Sequence, residues 1–186
     1  MRLILASRSP QRRAILEQVG IEFELRVPDV DELEEGKPAE VALANAASKA
    51  QAVRATGPGQ DALVLGVDTV VALDARMYGK PGSRAEAEET LTALSGRVHT
   101  VISGLCVQGE RVERTGVAQT QVRFRALSRR LIDWYLASGE WRDRAGAYAI
   151  QGRGAVLVEA IDGDYFNVVG LPVAALIELI PEFPAT

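Results

Sequence analysis

The segment that decides the fold class is Leu3-Ile-Leu-Ala-Ser-Arg-Ser-Pro-Gln-Arg-Arg-Ala-Ile-Leu16, which predicts a short apolar strand running directly into a helix. Ser9 stands at the helix N-cap and Pro10 at the first helical position, where its missing N–H costs nothing. Arg12 and Arg13 follow in the first turn, although the helix dipole disfavours cations there. Such strand-to-helix turns are typical of α/β proteins, which bind ligands at these places.

The same turn predicts a binding site for an anion, phosphate above all. The N–H groups of a helix N-terminus, the hydroxyls of Ser7 and Ser9, and several guanidiniums (including that of Arg8) all favour a bound phosphate. The alternative is a solvated basic turn that tolerates the small dipole penalty. The segment by itself is compatible with both interpretations.

Length and composition predict one domain over residues 1–186. The net charge of −4 argues against a general nucleic-acid-binding surface, so any phosphate site must be local. The only cysteine, Cys106, lies in an apolar run, which favours a core position and excludes a disulfide within the chain. Since no stretch has the pattern of a signal peptide or a membrane span, we expect a cytoplasmic protein with no membrane partner.

Hydrophobic patterning predicts the other elements. The expected strands are 22–27, 62–67 continued over 70–73, a hairpin of 100–107 and 111–124 that turns near Gly109, and a buried strand over 155–160. The expected helices are 38–54, 84–94 capped by Ser83, a helix capped by Ser128 that ends near 138, and 171–180. In the 38–54 helix the apolar spacing places Val41, Ala44, Ala47, Ser48 and Gln51 on related faces. Because a hairpin stands beside buried strands, we expect an α/β fold with a long mixed sheet flanked by helices.

Asp68 interrupts the otherwise apolar run from Leu63 to Leu73. A carboxylate in such a strand is costly unless it is hydrogen-bonded, paired with a cation or bound to a metal. Strand ends in α/β sheets are where catalytic groups project, so Asp68 is a candidate general base or metal ligand. The alternative is an aspartate that only turns the chain at a strand end, which the following Val70-Val-Ala-Leu73 disfavours.

Several common motifs are excluded. Gly79-Lys80-Pro81 is not a Walker loop, and Lys80 by itself is typical of a surface lysine. Gly152-Arg-Gly154 lacks the third glycine of a dinucleotide-binding fingerprint. His99 is the only histidine, which leaves a zinc site or a Ser-His triad without support. The amide of Gln151, next to these turn glycines, offers both a donor and an acceptor to a base edge.

Eight short motifs follow one another along the chain: Ser7-x-Ser-Pro-x-Arg-Arg13, Val30-Asp-Glu32, Lys49-Ala50, Gly66-Val-Asp-Thr-Val70, Gly79-Lys-Pro81, Ser95-Gly-Arg-Val-His99, Ala145-Gly-Ala-Tyr-Ala-Ile-Gln-Gly-Arg-Gly154 and 162–172. Together they resemble the Maf family of nucleotide pyrophosphatases. One such motif would be a weak signal, whereas eight in order are a strong one.

The resemblance implies an inosine-triphosphatase-like (Maf/Ham1) fold and the hydrolysis of nucleoside triphosphates to monophosphate and pyrophosphate with a divalent metal, Mg²⁺ or Mn²⁺. It implies that Asp68 accepts a proton from the attacking water and that Glu32 and Asp68 hold the metal. The residues implied to bind the phosphates are Ser7, Ser9, Arg12, Arg13, Lys49 and Lys80. It also implies a homodimer.

Within the family, substrate choice is associated with the positions of Gln11, Thr69 and Gln151. Thr69 and Gln151 resemble the branch that acts on dTTP and UTP, with modified pyrimidine nucleotides as a further substrate class. Gln11 departs from that branch, which usually has arginine there. The alternatives are the branch acting on 7-methyl-GTP and, from a different class, a nucleotide-responsive regulator of cell division.

Overall fold

A seven-stranded mixed sheet forms the centre of the structure, a computed structural model that describes residues 2–183. Its strands are β1 (Arg2–Ala6), β2 (Glu24–Arg26), β3 (Ala62–Leu73), β4 (Arg76–Tyr78), β5 (Val98–Gln108), β6 (Glu113–Phe124) and β7 (Val158–Asp162). The order is β2-β1-β3-β5-β6-β7, and β4 pairs with β3. Since β1 is parallel to β2 and β3 while every other pair is antiparallel, the predicted mixed α/β sheet is confirmed.

All the predicted helices are present in the predicted order, together with further short helices that the sequence analysis did not predict. They are α1 (Pro10–Gln18), α2 (Pro38–Arg54), α3 (Arg84–Leu94), α4 (Arg129–Leu136), α5 (Tyr165–Val169) and α6 (Val173–Leu179), with 3-10 helices at Ala145–Ala147 and Gly152–Val156. Ser9, Ser83 and Ser128 each cap a helix, because their hydroxyls accept hydrogen bonds from backbone N–H groups of the first turn. Among the helices that the structure describes, none has the length and apolar character needed to cross a membrane.

Two predictions about elements are wrong in part, and one α-helix was not predicted. The buried strand expected over 155–160 is instead the end of a 3-10 helix followed by β7, a strand at the sheet edge whose one partner within residues 2–183 is β6. Leu157 is the one fully buried side chain in this run, and the apolar Val156 is 43 % exposed. The closing helix is shorter than expected, and the sequence analysis did not predict α5 before it.

The buried face of α2 also differs from the predicted one. Residues on that face are Val41, Ala42, Asn45, Ala46, Lys49, Ala50 and Val53, whereas Ala44 and Gln51 are exposed. Apolar spacing could not identify this face because two of its members, Asn45 and Lys49, are polar. Their burial has its reason in the site described below.

Two glycines of the sheet let α2 lie unusually close to it. A Cβ built on Gly66 of β3 would collide with the carbonyl oxygen of Ala46, and one on Gly104 of β5 would meet the backbone of Ala42. Gly104 is the cross-strand partner of Asp68, and Gly66 is two residues before it on the same face of β3. The close contact therefore brings the polar side chains of α2 directly over Asp68.

Candidate active site

A cavity of about 1000 Å³ opens where the β1–α1 turn, α2, β3 and the segment 142–151 meet. The residues that the sequence analysis singled out and that line this cavity are Ser7, Ser9, Gln11, Arg12, Glu32, Lys49, Asp68, Thr69, Lys80 and Gln151. One member of that set, Arg13, does not line it. Its position one residue after Arg12 turns it about 100° around the helix, and its Nε donates to Glu17 on the surface at 2.9 Å.

Asp68 is buried at the inner end of the cavity, and each of its two carboxylate oxygens contacts a side chain of α2. Its Oδ1 lies 2.6 Å from the ammonium of Lys49, and its Oδ2 accepts a hydrogen bond of 3.1 Å from the amide of Asn45. Lys49 and Asn45 are four residues apart, so they share one face of the helix. The burial of this carboxylate is thus compensated by a cation and a hydrogen bond, which its place in an apolar strand requires.

The acidic loop before α2 brings a second carboxylate to the same cation. Asn45 accepts a hydrogen bond from the backbone N–H of Leu33 at 2.7 Å and donates one to its carbonyl at 3.0 Å. This clamp places the neighbouring Glu32 so that its Oε1 lies 2.7 Å from Lys49 Nζ. Asn45 was not recognised in the sequence; its one signal is an amide four residues before Lys49 in an alanine-rich helix.

Glu32 and Asp68 are the residues with which this site could hold a divalent cation. In the described part of the chain no group of three or more His, Cys, Asp or Glu side chains forms a metal centre. Mg²⁺ is commonly bound through one or two carboxylates together with substrate phosphates, so this pair of oxygen donors fits such an ion. Both carboxylates already share one ammonium, and a metal would therefore compete with Lys49 for them.

The β1–α1 turn presents a network of hydroxyls and one guanidinium to the cavity. Ser7 Oγ accepts hydrogen bonds from Ser9 N at 3.0 Å and from Arg12 Nη1 at 3.3 Å. Ser9 Oγ accepts one from the backbone N–H of Arg12 and donates one to Gln11 Oε1 at 3.0 Å. The turn is therefore organised by its own side chains, and Gln11 is held against it.

Arg12 is buried, and its guanidinium connects three segments of the chain. Besides Ser7 it donates to the carbonyl of Gly170 at 2.9 Å and to Thr69 Oγ1 at 3.2 Å. Burial lowers its pKa, while the charges of Asp68 and Glu32 oppose that shift. Since a guanidinium has five N–H donors, two of them make no hydrogen bond within residues 2–183 and can serve a ligand. Thr69 in turn exchanges a hydrogen bond of 2.9 Å with Ser103, so its hydroxyl is tied to both Arg12 and Ser103.

Lys80 and Gln151 lie at the exposed rim of the cavity. Lys80 follows β4, and Gln151 precedes the 3-10 helix of Gly152–Val156 without capping it through its side chain. Behind that rim Tyr148 is fixed by His99, whose Nε2 lies 2.9 Å from the tyrosine hydroxyl. Burial lowers the pKa of His99 to about 4, and the imidazole is therefore neutral at pH 7.

This cavity is also lined by Asn45, Arg142 and Arg144, which lie outside the predicted set, while Arg8 was predicted as one of the guanidiniums of the β1–α1 turn. Six cationic side chains and four carboxylates line the cavity, while the whole chain has a net charge of −4. Arg142 and Arg144 were difficult to recognise in the sequence, because they stand in a loop without a periodic pattern. The local excess of cations suits an anionic ligand.

A family model supports what these residues indicate. The model for Maf-like proteins matches residues 2–183. The chain belongs to the Maf family. A Maf relative from Symbiobacterium thermophilum, named dTTP/UTP pyrophosphatase, is 48 % identical over 97 % of this chain and 93 % of its own length. A relative from Pyrococcus abyssi with the same name is 46 % identical over 96 % of this chain and 94 % of its own.

The fold of this Maf chain is also found in a solved structure. A HAM1 protein from Coxiella burnetii matches it with a TM-score of 0.54 over 98 % of this chain and 99 % of that one. Because the two are only 15 % identical, the match concerns the fold alone. The Maf/Ham1 architecture implied by the sequence motifs is thereby confirmed.

Proposed function

We propose that this protein hydrolyses nucleoside triphosphates, dTTP and UTP in particular, to the monophosphate and pyrophosphate. The observation that carries the proposal is Asp68, a buried carboxylate fixed by Lys49 and Asn45 at the inner end of a cavity rich in cations. Relatives named dTTP/UTP pyrophosphatase that are 40–48 % identical to this chain support the choice of reaction and substrates.

In this proposal Asp68 accepts the proton of the water that attacks the α-phosphorus. Its orientation is set by Lys49 and Asn45, so little reorganisation is needed when the proton arrives. Arg12, with two free donors, and the hydroxyls of Ser7 and Ser9 bind phosphate oxygens at the N-terminus of α1. Lys80 reaches them from the rim.

We further propose that Glu32 and Asp68 hold a divalent cation, Mg²⁺ or Mn²⁺, together with the phosphates of the substrate. Such an ion would supply positive charge to an anion-rich reaction centre. Lys49 would then be released from one or both carboxylates and become available to the phosphates. Arg13 supports no part of this scheme, because its guanidinium pairs with Glu17 outside the cavity.

Base selection is assigned to Gln11, Thr69 and Gln151. The amide of Gln151 at the rim can donate to a pyrimidine carbonyl and accept from its imide N–H. Thr69 has less freedom, since its hydroxyl is engaged with Arg12 and Ser103. Three further expectations stay predictions. A substrate panel tests modified pyrimidine nucleotides as substrates, cell fractionation tests action in the cytoplasm, and light scattering tests the homodimer.

The test compares Asp68→Asn with wild type in the release of pyrophosphate from UTP, with Mg²⁺ and with Mn²⁺. We expect a loss of at least about 10²–10⁴-fold, the usual contribution of a general base. Asp74→Asn is the matched control, because Asp74 is exposed at the β3–β4 turn and pairs with Arg97 away from the cavity. Activity of Asp68→Asn within a few-fold of wild type would refute the assigned role.

A nucleotide panel with metal titrated tests the substrate. We expect dTTP and UTP to be turned over faster than ATP, GTP and 7-methyl-GTP. Faster turnover of 7-methyl-GTP would assign the protein to the 7-methyl-GTP branch, while the proposed reaction, release of pyrophosphate, would still hold. Nucleotide binding without release of pyrophosphate at any metal concentration would instead favour the nucleotide-responsive regulator.

A further inference from the structure

Arg144 lines the same cavity as Lys80, although no motif of the family resemblance includes it. It directly precedes the 3-10 helix Ala145–Ala147, whose Gly146 donates a backbone hydrogen bond of 3.2 Å to the carbonyl of Gly79. Gly146 also packs closely on Val71 of β3. This tether fixes the loop that carries Arg144 to the hairpin that ends at Lys80, and both cations line one cavity.

The guanidinium of Arg144 is poorly compensated where it stands. Its Nε is shut off from solvent and has no hydrogen-bond partner among residues 2–183. Burial lowers its pKa, and Tyr135, Asp143 and Glu140 oppose that shift only through space. A half-buried cation without a hydrogen-bonded carboxylate is costly, and a bound anion would remove that cost.

The other arginines at the cavity each have a partner within the chain, although Arg12 keeps two of its five donors for a ligand. Arg12 makes three hydrogen bonds with the chain itself. Arg142 stacks on the ring of Trp141 at 4.6 Å, and Arg8 lies 3.8 Å from Asp29 with its side chain 72 % exposed. Arg144 differs from them because its buried Nε has no hydrogen-bond partner among residues 2–183.

We propose that Arg144 is a further binding residue for the polyphosphate of the substrate and acts together with Lys80. The proposal rests on the function proposed above, because it concerns the same cavity. A guanidinium presents paired N–H donors that match two phosphate oxygens, whereas the ammonium of Lys80 acts as a point charge. The backbone tether between Gly146 and Gly79 holds the two cations on one wall in advance of binding.

The experiment measures binding of inorganic triphosphate in Mg²⁺ buffer by calorimetry, for wild type, Arg144→Gln and Arg144→Lys. We expect Arg144→Gln to weaken binding about tenfold or more, which corresponds to about 1.4 kcal/mol. Arg144→Lys should recover part of the loss, because it restores the charge but not the paired donors. Arg130→Gln, an exposed arginine of α4 outside the cavity, is the control and should bind like wild type.

Thermal unfolding without ligand separates binding from structure. If Arg144→Gln binds triphosphate within about twofold of wild type, or if wild type does not bind it, the proposal is overturned. It is equally overturned if both variants lose thermal stability and Arg144→Lys binds no better than Arg144→Gln, since that result indicates a structural role. Release of pyrophosphate from UTP by wild type tests the proposed function separately, so either can fail without the other.

Discussion

Removal of Lys49 should expose how strongly the buried charges of the site depend on each other. In Lys49→Met, Asp68 keeps only the hydrogen bond from Asn45, and Glu32 loses its partner as well. Breaking a buried ion pair by removing one partner typically costs about 3–5 kcal/mol. Because the pair borders a cavity that water can enter, we expect the lower end, about 3 kcal/mol.

Removal of the carboxylate partner, Asp68, should destabilise the protein less than removal of Lys49. In Asp68→Asn the amide oxygen can still accept a hydrogen bond from Lys49, which also keeps Glu32 at 2.7 Å. The loss should be about 1 kcal/mol, the size of one ordinary hydrogen bond. The double variant combines Lys49→Met with Asp68→Asn. It leaves no buried charge without its partner, since the side chain of Glu32 is 40 % exposed. Its cost should be about 2 kcal/mol instead of the additive value of about 4 kcal/mol.

Urea unfolding at a constant m-value measures this cycle. The expected coupling of about 2 kcal/mol lies within the range found for contacting residues. Arg13→Gln with Glu17→Gln provides the control cycle, because that exposed pair on α1 should couple by only about 0.3–0.5 kcal/mol. If the two variants of the buried pair add within about 0.5 kcal/mol, the electrostatic account of the site is wrong.

Three further results are expected. Gly66→Ala should destabilise the protein by about 1–3 kcal/mol and lower its activity on UTP, because the new Cβ collides with the carbonyl oxygen of Ala46. Thermal unfolding measures the loss of stability, and pyrophosphate release measures the loss of activity. The stability contributed by neutral His99, whose pKa lies at about 4 instead of 6.5, should be complete above pH 6.5 and should fall by about 1.4 kcal/mol per pH unit down to pH 4. His99→Gln should flatten that slope in urea titrations at several pH values, and an unchanged slope would assign it to other groups. Ser128→Ala should cost about 1 kcal/mol through loss of the cap on Leu131 N, with activity unchanged.

Most of the fold was predictable because local signals determine it. Ser9 with Pro10 fixes the start of α1, and the apolar runs of β3 and β5 are too continuous for anything but buried strands. The predictions failed where tertiary contacts decide the outcome. The apolar residues of 155–160 read as a buried strand, yet only their place at the sheet edge determines that most of them are exposed.

The candidate site was predictable as a set of residues but not as an arrangement. Asp68 could be found because a carboxylate in an apolar strand demands an explanation. Lys49 could be assigned to phosphates through the family resemblance, but its pairing with Asp68 depends on the distance between α2 and β3. Asn45 and Arg144 were not assigned a role, because their significance lies in contacts between segments distant in the chain.

The packing of α2 and the chemistry of the site therefore have one cause. Gly66 and Gly104 have no side chain between the sheet and α2. The backbone of α2 therefore comes close enough to the sheet for Lys49 and Asn45 to reach Asp68. A larger residue at either glycine would enlarge that distance and leave the carboxylate buried but without its partners. Such a variant would combine a packing defect with an uncompensated charge, so the same substitution should damage stability and activity together.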